Sequence, residues 1–187
     1  MTRLNAIDPQ ETTGKTKELL DGVKAKLGRV PNLMRTLANA PAALEGYLSF
    51  SGALGGGVLD ARLRERIALA VADANSCEYC LSAHTAIGKM VGLDENEILS
   101  SRKATSDDPR VNAALGFAHR IVVKRGEVDD SEVREVRAAG FSDAEITEIV
   151  AHVALNVFTN YFNHVAQTVV DFPKVELTLG VAGAHSN

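Results

Sequence analysis

Glu65-Arg66-Ile67-Ala68-Leu69-Ala70-Val71-Ala72-Asp73-Ala74-Asn75-Ser76-Cys77-Glu78-Tyr79-Cys80-Leu81-Ser82-Ala83-His84 holds two helical patterns that meet at Asn75-Ser76. The first starts near Asp60, a residue type suited to an N-cap, and runs to Ala74. The second carries both cysteines and continues to about Val91, where Gly92 closes it. At roughly 100° per residue, Cys77, Cys80 and His84 fall within an arc of about 60°, on one helix face. The joint decides where Glu65 goes. In an unbroken helix, a span of about fifteen residues at ~1.5 Å each would hold Glu65 roughly 22 Å from Cys80. A break at Asn75-Ser76 folds the two helices into an antiparallel hairpin and brings Glu65 opposite His84 and Ile87.

The order along that hairpin is Glu65, His84, Cys80, Cys77: a carboxylate orienting an imidazole that takes a thiol proton. Cys77 falls in the first turn of its helix, where unpaired N–H groups and the helix dipole stabilise a thiolate. Plainer readings stand beside this one. The Cys-x-x-Cys is also half of a zinc site that His84 with His152 or His164 would complete, although no second Cys-x-x-Cys exists. Two incidental core cysteines are a further reading, since free Cys buries readily. Tyr79 is a candidate tuning group through its hydroxyl and a packing ring otherwise. His119, His152 and His164 read as structural, and Asn156, Asn160 and Asn163 as groups that cap or bridge buried helix ends.

Outward from this stretch the helical period continues. Thr13 to Leu27 is amphipathic and stops at Gly28; a short segment follows Val30-Pro31-Asn32; Pro41 opens a helix through Leu54, and Gly55-Gly56-Gly57 is a hinge. Leu93 to Ile98 carries a capped start, Ser100 to Asp108 with Pro109 is the expected loop, and Val111 to Lys124 is helical. Asp130-Ser131 caps a helix to about Ala139. Ser142-Asp143-Ala144-Glu145 is a capping box for a long helix to about Val170, ended by Asp171-Phe172-Pro173. The stretch from Ala61 through Asn75 and His84 faintly echoes that from Ala144 through Asn156 and His164. No stretch alternates with period two, so the expected class is all-α. The expected organisation is one domain over 1–175, with its core at about 30–172 and a flexible or exchanged tail at 176–187.

At 187 residues and 45% hydrophobic, the chain can bury a core without disulfide staples. A net charge of −4 with scattered Lys and Arg argues against a nucleic-acid partner. The N-terminus has no apolar signal region and no stretch suits a membrane span, so a cytoplasmic, reducing compartment is expected. There a lone Cys-x-x-Cys points to catalysis or metal rather than structure.

The pattern from Glu65 to Val71, with Asn75-Ser76-Cys77-Glu78-Tyr79-Cys80 and Ala83-His84, resembles the signature of the alkylhydroperoxidase D and carboxymuconolactone decarboxylase superfamily. Gly92 and the helix bearing Thr159-Asn160-Tyr161-Phe162-Asn163-His164 are similar to its longer, peroxidase-related members. The resemblance implies a helical alkylhydroperoxidase D-like fold and a thiol peroxidase with no cofactor and no metal, acting on hydrogen peroxide or small organic hydroperoxides. It implies Cys80 as the peroxidatic nucleophile, Cys77 as the resolving thiol, and Glu65 with His84 as the proton relay. A dithiol reductant of lipoyl or thioredoxin type and assembly as a trimer or hexamer are implied as well. The decarboxylase branch lacks the cysteine pair, which argues against lactone decarboxylation here. One position departs from the well-studied pattern: Tyr79 stands where a histidine precedes the second cysteine. The alternative from another class is an oligomeric binding or redox-sensing protein whose disulfide switches shape without turning over.

Overall fold

The computed structural model describes residues 2–177, and among them the regular structure is helical throughout. The helices are α1 (Gly14–Leu27), α2 (Asn32–Leu37), α3 (Pro41–Gly55), α4 (Ala61–Ala74), α5 (Glu78–Met90), α6 (Glu95–Arg102), α7 (Pro109–Val123), α8 (Asp130–Ala138) and α9 (Asp143–Ala166). The all-α expectation holds. Most of the expected tail lies outside the described residues. No described helix is long and apolar enough to cross a membrane.

α4 is the central element. Every residue from Arg66 to Asp73 is buried, and the helix packs against α5, α6, α7 and α9. One side, with Leu69 and Ala72, joins the cluster built by α1, α2, α3 and α5; the other, with Ile67 and Val71, joins α7, α8 and α9. Full burial of side chains such as Ile67, Leu69 and Val71 is worth about 1.5–3 kcal/mol each. A helical stretch apolar on every side has to lie inside, so the run Ile67-Ala68-Leu69-Ala70-Val71-Ala72 sets the place of α4.

Local chemistry sets most helix starts. Asp60 accepts from Leu63 N at 2.9 Å, Asp94 and Glu97 form a capping box, and Ser142 with Glu145 forms another. α8 begins one residue earlier than its sequence suggests, because Asp129 and Glu132 make its box. α7 starts at Pro109 rather than Val111: the Asp108 carboxylate accepts from both Arg110 N and Val111 N, and proline at the first position gives up no bond.

Two expectations need correction. Ser100, Ser101 and Arg102 belong to α6, not to the loop. Ser101 Oγ accepts from buried Arg66 Nε at 2.9 Å, and Arg102 Nε meets the buried Asp73 carboxylate at 2.7 Å, so the last turn of α6 bonds two charged groups of α4 and neutralises that of Asp73. α9 stops at Ala166 rather than near Val170. Gln167 turns left-handed with φ 52°, the Ala166 carbonyl accepts from Arg3 N and Leu4 N, and Asp171 is tied to α2. The echo between the two halves also stops at composition, since Asn75 ends α4 whereas Asn156 sits inside an unbroken helix.

Candidate active site

The hairpin turns where its sequence says it should. α4 ends at Ala74, Ser76 takes the left-handed conformation with φ 53°, and Cys77 N reaches back to Ala72 O at 2.9 Å. That conformation costs an L-residue roughly 1–2 kcal/mol. α9 holds the turn from outside: Asn75 Nδ2 donates to Asn160 Oδ1 at 2.9 Å, and His164 Nε2 donates to Asn75 O at 2.8 Å.

Cys77 is the N-cap of α5, one step outside the first turn, and its Sγ accepts from Cys80 N at 3.3 Å. Cys77 and Cys80 are joined as a disulfide with their Cα atoms 5.3 Å apart, and both residues are buried. The second sulfur has a partner that sequence reading gave another role: Asn163 Nδ2 of α9 donates to Cys80 Sγ at 3.2 Å. Across the hairpin, His84 Nδ1 lies 2.8 Å from Glu65 Oε2, with 21% and 18% of these side chains exposed. An ionised carboxylate only accepts, so the ring nitrogen that faces Glu65 is the donor of this contact.

Tyr79 is placed differently from a tuning group. Its hydroxyl accepts from Leu33 N at 3.0 Å and donates to Asp171 Oδ1 at 2.9 Å, while its ring meets Phe172 edge-on at 5.8 Å between centroids. Burial pushes its phenol far above the usual range, so it stays protonated. Asp171 in turn accepts from Asn32 N at 3.1 Å and pairs with Arg29. Tyr79 thus fastens α5 to the start of α2 and to the segment after α9.

A cavity of about 470 Å³ opens beside Cys80, Glu65 and His84. Much of its wall is apolar, with Leu33, Met34, Ala68, Ile87, Leu155 and Phe172, and it also receives Tyr47 and His152. Burial and the Glu65 charge raise the Tyr47 phenol, whose hydroxyl also bonds Ser51. His152 is 6% exposed and its Nε2 has no partner. Burial and the Arg64 charge hold it below the ordinary imidazole value, against the pull of Glu148 and Glu65, so it is neutral near pH 7.

Sequence reasoning missed Asn163, Tyr47 and His152 as site residues. Tyr47 has no motif to announce it. The α9 residues do have a signal: His152, Asn156, Thr159, Asn160 and Asn163 are all buried and share one helix face. His119 is exposed on α7, and His164 binds the turn. Among the described residues, no three His, Cys, Asp or Glu side chains are grouped to hold a metal ion.

A helix hairpin that carries a Cys-x-x-Cys pair at the start of its second arm, with a Glu–His pair across it, is an arrangement suited to thiol redox chemistry. The carboxymuconolactone decarboxylase family model matches residues 41–120. The alkylhydroperoxidase D core, a peroxidase-related protein from Ralstonia eutropha JMP134, is similar at 26% identity over 91% of this chain and 92% of its own, with a TM-score of 0.82. A peroxidase-related protein from Silicibacter sp. TM1040 is similar in fold at 24% identity over 90% and 94%, with a TM-score of 0.77. The debrominase Bmp8, solved with 2,3,4-tribromopyrrole, is similar in fold at 20% identity over 91% and 92%, with a TM-score of 0.78. No curated protein matches the chain significantly. The likeness is therefore to the alkylhydroperoxidase D-like, carboxymuconolactone decarboxylase superfamily: its family model covers residues 41–120, and the likeness of fold extends over 91% of the chain.

Proposed function

We propose that the protein is a cofactor-free thiol peroxidase. The reaction begins with His84, oriented by Glu65, drawing the proton from Cys80. The thiolate attacks the peroxide O–O bond, becomes a sulfenic acid and releases an alcohol or water. Cys77 attacks that sulfenic acid, expelling water and forming the disulfide, which a dithiol then reduces. The reading rests above all on the 2.8 Å Glu65–His84 contact, made from across the hairpin beside the cysteine pair. Such a reductant implies a reducing compartment, the cytoplasm. An exposed apolar stripe on α9, with Val150, Phe158, Tyr161 and Val165, supports assembly of several copies. The size of the cavity favours organic hydroperoxides over hydrogen peroxide.

Rapid mixing of the reduced protein with cumene hydroperoxide tests this. One Cys77–Cys80 disulfide should form per peroxide consumed, and turnover should continue when a dithiol is added. Cys80→Ser should abolish the first step, while Cys77→Ser should stop at a sulfenic acid that dimedone traps. Two thiols that persist in excess peroxide would sink the proposal, and a single turnover without recycling would favour a redox sensor. Stoichiometric zinc in the purified protein would displace both readings.

A second reading, reductive dehalogenation, is favoured by the mixed apolar cavity beside Cys80 and by the debrominase of like fold. A dithiol would supply two electrons and leave as a disulfide, with bromide released. Bromide measured after incubation with a bromopyrrole and dithiothreitol decides it.

A further inference from the structure

The two cysteines of the disulfide face different spaces. Cys80 lines the large cavity and Cys77 does not. Cys77 lines a second cavity of about 220 Å³ between the start of α5 and the end of α9, where Cys80 is absent. This smaller space is polar. It is bordered by Ser76, Asn163, Gln167 and Thr168, and in that border Asn163 Oδ1 and Thr168 Oγ1 are buried with no hydrogen-bond partner. Asn163 is only 4% exposed. Buried polar atoms left unpaired are costly and point to something that completes them.

We propose that this cavity receives the reductant, a cysteine set in a peptide, and that its thiolate attacks Cys77 rather than Cys80. The inference rests on the redox reading of the same disulfide. A cysteine residue brings its own amides: an N–H for Asn163 Oδ1 and a carbonyl for the Thr168 hydroxyl. Attack on Cys77 Sγ forms a mixed disulfide and breaks the Cys77–Cys80 bond, whose electron pair leaves on Cys80. That sulfur already accepts a bond from Asn163 Nδ2 at 3.2 Å and sits in the first turn of α5, so it is the better leaving thiolate. A second thiol of the reductant then attacks the reductant's own sulfur in the mixed disulfide. Cys77 is released as a thiolate and takes up a proton, and the reductant leaves as a disulfide. Two electrons and two protons pass to the cysteine pair. Substrate and reductant therefore use separate doors, and neither has to leave before the other enters.

The test starts from protein oxidised with diamide, so it does not depend on peroxide. Glutathione, a cysteine between two amides, is added with iodoacetamide, and the acid-quenched products are mapped by tandem mass spectrometry. Glutathione on Cys77 with carbamidomethyl on Cys80 is expected in at least tenfold excess over the reverse; the reverse pattern overturns the proposal. 2-Mercaptoethanol, which has no amides, should react at least tenfold more slowly than glutathione per thiolate, and equal rates would remove the peptide part. Thr168→Phe and, as a second filling variant, Val170→Trp should slow glutathione reduction at least tenfold more than they slow oxidation by cumene hydroperoxide. Equal slowing of both steps, or of neither, in a folded variant overturns it. Failure of wild-type protein to react with peroxide would defeat the peroxidase reading alone, since the glutathione arm is read separately.

Discussion

Cys80 is held by one side chain from far along the sequence, and its chemistry answers to that contact. A hydrogen bond to a charged acceptor is worth about 1.5–3 kcal/mol, and one pKa unit corresponds to 1.36 kcal/mol. Replacing Asn163 by Leu should therefore raise the Cys80 thiol by about one unit or more, read as an upward shift in the pH profile of its alkylation in a Cys77→Ser background. An unmoved profile would show that the 3.2 Å contact does not act on the thiolate. Tyr79 makes the opposite case. Its hydroxyl bonds Leu33 N and Asp171 and not a sulfur, so Tyr79→Phe should cost about 1–3 kcal/mol in urea unfolding with peroxide oxidation within twofold of wild type. A large loss of rate at unchanged stability would restore it as a tuning group.

α9 buries an unusual share of polar groups for a surface helix. Beside Ile149, Val153 and Ala166, its buried face carries His152, Asn156, Thr159, Asn160 and Asn163, while Val150, Phe158, Tyr161 and Val165 face outward. One consequence is a pH dependence. His152 binds a proton less readily folded than unfolded, so the unfolded state gains protons first as pH falls. The stability that neutral His152 permits is present above its ordinary value of 6.5 and is lost progressively below it. His152→Gln should flatten the stability profile below that pH, measured by denaturant unfolding at several pH values; a parallel profile would refute the assignment. The starts of these helices were legible, because Asp60, Asp94 and Ser142 act on neighbours three residues away. Their ends were less so. α6 extends for the sake of Arg66 and Asp73, and α9 stops where the N-terminal segment and Asp171 engage it, none of which local periodicity reports. Glu65, Cys77, Cys80 and His84 were legible for the complementary reason: they lie on two adjacent arms with one turn between them.

At the scale of the molecule, α4 is buried with two of its charges, Arg66 and Asp73, which makes the fold depend on the groups that meet them. Asp73 and Arg102 are 4% and 6% exposed in their side chains and bonded at 2.7 Å. Deleting one partner of such a buried pair costs about 3–5 kcal/mol. Asp73→Ala should lower the unfolding midpoint accordingly, and a change below 1 kcal/mol would show that other groups carry the Arg102 charge. The hairpin has another consequence, in the order of synthesis. Its two arms are neighbours in the chain and can pair early, whereas the Asn163 that covers Cys80 comes 83 residues later. A nascent chain thus presents its thiols before the helix that encloses them exists. With only two cysteines in 187 residues, that interval offers no incorrect pairing within the chain: the only wrong bond is to another molecule.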